Sequence, residues 1–165
     1  MNAVQRAWQV LESVPDPEIP VVSIRELGIL REVNERNGEL EVVITPTYSG
    51  CPAMGQIEED VRAALAANDL RGYVVTQLAP AWTTDWITDE ARQKLRAFGI
   101  SPPHAAAQDD VVRFARRSAA VAQAVPCPHC GSANTTETSH FSSTACKALY
   151  KCLDCLEPFD YFKPY

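Results

Sequence analysis

The sequence predicts an α/β fold: a small mixed three-stranded sheet with packed helices in the order α-β-β-α-β-α, followed by a C-terminal module held together by four cysteines. Three observations carry this reading. Asn37-Gly38 lies between two strand-like runs, and a two-residue type I′ hairpin turn needs positive φ at both positions. Apolar residues recur at helical spacing before, between and after the strands. Two Cys-x-x-Cys pairs, 21 residues apart, stand near the end of the chain.

The first helix is read over residues 3–14, where Val4, Ala7, Trp8, Leu11 and Val14 fall on one stripe. It must stop before "PDPEIP", whose three prolines remove donors and push their neighbours extended. Ser23 and Glu26 form a capping-box pair that starts a short helical turn, and Gly28 ends it. "ILREVNERNGELEVVITPT" is the hairpin, with Leu40, Val42 and Ile44 alternating on its second strand. Met54, Ile57, Val61 and Leu65 line the second helix. "GYVVTQL" is a third strand, which a right-handed crossover lays parallel to a neighbour. "TDEARQKLRAFG" is the last helix, capped by Thr88, with Leu95 and Phe98 inside and Gly99 at its stop. These elements fill a first domain, residues 1–103. Residues 104–126 are Ala-rich and read as a linker, and 127–165 form the cysteine module.

Composition excludes several classes. Hydrophobic residues make up 46% of the 165, enough for a core. No apolar run approaches the ~20 residues that span a bilayer, and "MNAVQRAWQV" has no signal-peptide pattern. A cytoplasmic location without membrane attachment is expected, and six cysteines there read as ligands or reactive groups rather than disulfides. Net charge is −6, and residues 1–101 carry 15 acidic against 9 basic side chains. A nucleic-acid binder needs a positive face, and "RFARR" at 113–117 is too small to be one. No nucleic-acid partner is expected.

The cysteine module is the strongest motif. Cys127 and Cys130 in "CPHCG", with Cys152 and Cys155 in "CLDC", can wrap two thiolates each around one ion. Four sulfurs satisfy tetrahedral zinc, so a zinc-ribbon-like site of four cysteines is expected. A segment of 39 residues buries too little surface to fold unaided, which makes a metal staple physically reasonable. Redox pairs are the alternative, and the presence of two argues against it. Cys146 is a fifth thiol, either a buried small residue or an extra ligand. Tyr150, Phe159, Tyr161, Phe162 and Tyr165 are expected to pack or dock the ribbon.

Cys51 stands apart, the only cysteine before residue 127. In "TPTYSGCP", Gly50 lets the backbone turn and Pro52 suits a first helical turn. A thiol at a helix start should have a lowered pKa, because the dipole and free amides favour thiolate. Asp16, Glu18 and Glu26 are nearby carboxylate candidates, although Asp16 can instead cap a turn and Glu26 a helix start. If the second and third strands are parallel, their C-terminal ends meet near Cys51, and Thr45, Thr47, Trp82, Thr83 and Thr84 line that edge. No histidine falls within residues 1–101, so a thiol enzyme with an imidazole base is disfavoured.

"DPEIPVVSIRELGIL", "TPTYSGCP" and "APAWTTDWITDEARQKLRAFGISPP" resemble the SufT-like family of iron–sulfur cluster assembly domains, over about residues 3–103. With "CPHCGS", "FSSTACKALYKC" and "EPFDYFKPY" added, the whole chain resembles the PaaD family of proteins associated with phenylacetyl-CoA epoxidase. The resemblance implies a non-catalytic accessory protein of aerobic phenylacetate breakdown. It implies a maturation factor that delivers an iron–sulfur cluster or iron to the oxygenase or reductase subunits, working with iron–sulfur assembly machinery. The family's motif cysteine corresponds to Cys51 and its acidic motif to Asp16 and Glu18, so a transient cluster there joins structural zinc as an expected cofactor. The alternative is an interaction subunit that docks on the epoxidase through its ribbon. A homodimer is also left open.

Overall fold

The computed structural model describes residues 1–104 and 124–164. It divides into two units, Met1–Phe98 and Gly99–Pro164. The sequence reading carries the first domain to residue 103, whereas the division here falls five residues earlier. Most of the expected linker, "RFARR" included, and Tyr165 lie outside the described residues.

The first unit opens with α1 (Ala3–Leu11). Asn2 and Gln5 cap it reciprocally: the Gln5 amide donates to Asn2 Oδ1 at 2.8 Å and the Asn2 amide to Gln5 Oε1 at 3.1 Å. The helix ends three residues before the expected Val14, because Val14 N–H bonds to Leu11 O in a turn leading into Pro15. Strands β1 (Leu30–Arg36) and β2 (Glu39–Ile44) pair antiparallel through Asn37 and Gly38, whose φ values of 54° and 81° are both positive, as the Asn-Gly signal requires. Helix α2 (Met54–Ala67) returns the chain to β3 (Gly72–Thr76), which pairs parallel with β2. The sheet order is β1-β2-β3.

Ile57, Val61 and Leu65 of α2 are buried, as are Leu40, Val42 and Ile44 of β2. Each such side chain contributes about 1.5–3 kcal/mol of hydrophobic stabilisation. A Cβ on Gly72 would stand 2.6 Å from the Leu40 carbonyl oxygen and 3.1 Å from the Leu65 side chain, so this strand position must be glycine. Helix α3 (Asp89–Ala97) starts on its Thr88 cap and buries Ala91 and Leu95. Phe98, expected inside, is 55% exposed. The buried row Ile87, Ala91, Leu95 steps by four, so its next position is Gly99 and Phe98 falls off the stripe.

The second unit holds β4 (Ile100–Ser101), β5 (Thr135–Ser139), β6 (Lys147–Cys152) and β7 (Pro158–Phe162), in the order β4-β7-β6-β5. β6 pairs antiparallel with β5 and β7, while β4 joins β7 in parallel. Val125, Cys127, Cys152, Phe159 and Tyr161 form its core. The Tyr150 ring stands 5.8 Å from Phe159 and 5.4 Å from Tyr161, so these aromatics pack the ribbon. Among the described residues no helix is long and apolar enough to cross a membrane.

Candidate functional site

Each unit presents its own thiol chemistry. In the second, Cys127, Cys130, Cys152 and Cys155 converge with all four sulfurs within 4.8 Å of one another. Cys127 and Cys155 are 3.8 Å apart at sulfur, and Cys130 and Cys152 are 3.6 Å apart. A tetrahedron with Zn–S bonds near 2.3 Å has edges of about 3.8 Å, so the cage fits a single tetrahedral ion.

Two matching turns build the cage. Cys127 N–H donates to Ser132 O at 2.9 Å, and Cys152 N–H donates to Glu157 O at 3.0 Å. The fifth residue of each turn, Gly131 or Leu156, is left-handed. Asp154 ties the turns together, accepting from Asn134 Nδ2 at 2.8 Å and from Ser132 Oγ. Those two donors hold its carboxyl below the usual range. The sequence reading misses this brace; its only trace is the polar run between the first knuckle and β5.

The thiols do not share one acidity. Amides of Cys155 and Asp154 pull Cys152 down to about 7. For Cys155 the Glu157 amide pulls the same way, but desolvation and the thiols of Cys152, Cys130 and Cys127 outweigh it and push the group up to about 12. Four crowded thiols resist full ionisation without a counter-charge, which a divalent cation supplies. Cys146 lies outside the cage; it is buried, with its sulfur 3.1 Å from Thr144 Oγ1. His129 also stays outside, with its ring over Gly99: a Cβ on that residue would lie 3.3 Å from Cε1.

In the first unit Cys51 sits in the loop between β2 and α2. Its carbonyl accepts from Met54 N–H at 3.3 Å and its amide donates to Tyr48 O at 3.3 Å. The sequence reading has Pro52 in the first helical turn and the thiol at the helix start. In the structure α2 begins at Met54, behind Ala53 at the cap position. The expected lowering of the Cys51 pKa is therefore overturned. Desolvation of the half-buried thiol pushes it up, and the Glu18 and Asp16 carboxylates add to this. The Ala53 amide and the Tyr48 hydroxyl only partly offset the rise. Tyr48 is a contact the sequence reading does not single out, although it stands three residues before Cys51.

Asp16 is 5% exposed. Its Oδ1 accepts the amides of Glu18 and Ile19 at 2.9 and 2.8 Å, the turn-capping role "PDPEIP" allows. The same turn brings both carboxylates within electrostatic reach of Cys51. Thr45, Thr47 and Trp82 line a pocket of about 230 Å³ at the C-terminal ends of the parallel strands β2 and β3, together with Tyr48 and Leu78. Trp82 is fixed there by its indole N–H, which donates to Leu27 O at 2.9 Å. Thr83 and Thr84 are not in that lining; Thr83 Oγ1 caps a 3-10 turn at Thr84–Trp86.

Glu26 belongs to another surface. It completes the capping box with Ser23 and pairs with Lys94 at 2.5 Å. It borders a groove of about 690 Å³, which Cys51 does not line. Two ion pairs stand on the groove's walls, Glu26 with Lys94 and Glu12 with Arg25, and Cys51, Asp16 and Glu18 line neither the groove nor the smaller pocket.

Comparison with known proteins agrees with this division. Residues 5–78 match a family model described as iron-sulfur cluster assembly protein, and residues 113–163 match one described as PaaD zinc beta ribbon domain. A protein of Escherichia coli (strain K12), named as the putative D subunit of 1,2-phenylacetyl-CoA epoxidase, is 47% identical over 163 residues, 97% of this chain and 92% of that protein. The chain belongs to the PaaD family. The assembly-type domain also occurs by itself. The Fe-S protein maturation auxiliary factor YitW of Bacillus subtilis (strain 168) is 35% identical over 92 residues, 54% of this PaaD-family chain and 87% of that protein. A solved DUF59 domain from Bacillus anthracis superposes with a TM-score of 0.52 at 30% identity, covering 56% of this chain and 91% of that one. The PaaD architecture is thus an α/β assembly-type domain joined to a zinc-ribbon module.

Proposed function

We propose that this chain is a non-catalytic accessory subunit of phenylacetyl-CoA epoxidase that matures its partners, passing iron or an iron–sulfur cluster to an oxygenase or reductase subunit. One observation carries the reading. Cys51 is half-buried, two residues beyond the Ser49 that lines the small pocket, and the Glu18 and Asp16 carboxylates act on its thiol electrostatically. Surroundings that hold the thiol protonated at rest also favour positive charge, so an arriving iron ion would displace the proton and meet one soft donor in a negative field; among the described residues the ribbon cysteines are the group that converges at ligand distance. The ligand is thereby protected from oxidation between deliveries. Relatives named as iron–sulfur maturation factors share this domain.

The ribbon has a different part in this reading. A structural zinc at Cys127, Cys130, Cys152 and Cys155 holds a docking module and does not turn over.

The test is Cys51→Ser in cells that depend on the epoxidase, with the variant present at wild-type level. Client subunits are expected at normal amounts but short of iron and inactive, with ribbon metal unchanged. Full iron occupancy and full activity in that strain overturn the maturation role and leave docking as the function.

A further inference from the structure

The pocket at the C-terminal ends of β2 and β3 holds buried polar groups that the protein itself leaves unused. Thr45 is 2% exposed and Thr47 9%, and both line the pocket. They flank Pro46; a residue before proline favours extended backbone, which turns alternate side chains to one side. Among the described residues neither hydroxyl has a hydrogen-bond partner. The buried side chains of Asp16, Ser23, Ser101, Lys147 and Lys163, by contrast, each bond within the protein. Among the described residues the one side-chain polar atom both sealed from solvent and unpaired is His104 Nε2. The two threonine oxygens are therefore open to the pocket.

The rest of the lining sets the chemistry of what fits. Pro46, Tyr48, Ser49, Leu78, Ala81 and Trp82 complete it, and no residue of the lining is charged. Burying an ion against such walls is costly, so neither a bare metal ion nor a carboxylate suits them. Trp82 is buried and its indole N–H is already given to Leu27 O, so it meets the pocket with its ring. Leu78, 60% exposed, stands at the rim. The pocket thus offers a flat apolar surface and two hydroxyls, each able to donate and to accept. A cavity of about 150 Å³ admits benzene. One of about 230 Å³ admits a single ring with a short polar arm.

We propose that this pocket binds a small uncharged carbonyl compound built on one ring, with the ring against Trp82 and the carbonyl oxygen accepting from the Thr45 and Thr47 hydroxyls. Buried hydroxyls without partners cost stability, and a ligand that pairs them accounts for their presence. A molecule of the same shape without the carbonyl leaves them unpaired and is rejected, as sites built around hydrogen bonds reject analogues that lack the group. The ends of parallel strands are also where open α/β sheets bind ligands. This goes beyond the maturation reading, because Cys51, Asp16 and Glu18 lie outside the lining.

The experiment is a titration of the full zinc-loaded chain, followed by proton–nitrogen NMR at the Trp82 indole and the Thr45 and Thr47 amides, with benzamide, benzoate and toluene as probes. Benzamide is expected to shift all three signals with a dissociation constant in the millimolar range. Benzoate is the same ring with a charge, and toluene the same ring with no polar arm; each should bind at least about ten-fold more weakly. Combining Thr45→Val with Thr47→Val keeps the shape and should reverse the order: benzamide weakens about ten-fold or more, and toluene becomes the tighter ligand. The thermal midpoint of that variant should not fall, since no hydrogen bond within the protein is lost. Wild-type signals that benzamide leaves unmoved at about 50 mM overturn the proposal without any variant. Benzoate or toluene binding the wild type as well as benzamide also overturns it. So does a valine variant that still binds benzamide fully, or one with a lowered midpoint, which would mean that the hydroxyls are bonded within the protein.

Discussion

Gly131 and Leu156 occupy the same position in the two metal-binding turns, with φ of 78° and 65°. The turns share the hydrogen bond that closes them, Cys127 N–H to Ser132 O and Cys152 N–H to Glu157 O, yet only one has the residue that tolerates this backbone. A left-handed conformation costs a residue with a Cβ about 1–2 kcal/mol. Leu156 is 64% exposed, so packing returns little of that cost. Leu156→Gly is therefore expected to stabilise the metal-loaded ribbon by about 0.5–1 kcal/mol after the extra chain entropy of glycine. Gly131→Leu should cost about 1 kcal/mol or more. Thermal unfolding of the zinc-loaded protein checks both; a lower midpoint for Leu156→Gly would count against the conformational account.

The sulfur cage predicts one tightly held zinc per chain. Chelation, or Cys152→Ser, should release it and make residues 127–164 sensitive to protease, while α3 and the three-stranded sheet remain protected. Removing one of four thiolates leaves an incomplete tetrahedron, and most of the folding energy of such a module is metal-binding energy. Metal analysis with limited proteolysis reads this out. Stoichiometric zinc in Cys152→Ser with an intact ribbon would contradict it.

Cys51 should alkylate more slowly than an ordinary exposed cysteine at neutral pH, and its rate should rise only through alkaline pH. Burial raises this pKa first and the carboxylates second. Asp16→Asn keeps an oxygen for the Glu18 and Ile19 amides but removes a charge, so it should move the alkylation midpoint down without unfolding the turn. With the folded pKa above the unfolded one, the thiol's contribution to stability is full below the unfolded value and is lost as pH rises through the folded one. Mass-spectrometric alkylation of Cys51 against pH tests the direction; a midpoint below that of a free thiol refutes it.

Glu26 is expected to matter for stability rather than for metal. Burial alone would raise its pKa, but the Lys94 ammonium, the Ser23 amide and the Ser23 hydroxyl more than offset it, and the carboxyl lies below its ordinary value. Its contribution is therefore present above the unfolded-state pKa and lost as pH falls through the folded one. Glu26→Ala should cost about 1–2 kcal/mol at neutral pH, from the lost cap and the stranded Lys94. Denaturant unfolding gives the value, and an unchanged midpoint would make Glu26 a candidate for the metal site again.

Local patterns in the sequence determined much of this protein. The Asn-Gly turn, the Ser23–Glu26 box, the Thr88 cap and the two Cys-x-x-Cys pairs each act over a few residues, so their spacing alone specifies the geometry. The order of helices and strands followed from periodicity for the same reason. Tertiary structure decided what depends on surroundings. The acidity of Cys51 could not be read from its place before a helix, because burial and two carboxylates from a distant turn outweigh nearby amides. Phe98 kept a helical spacing but missed the buried stripe by one position, which only the direction of packing reveals. Ile100–Ser101, continuous in sequence with α3, pairs with β7 more than fifty residues on. A strand's partner is chosen by which edge is free, and nothing local in the chain records that.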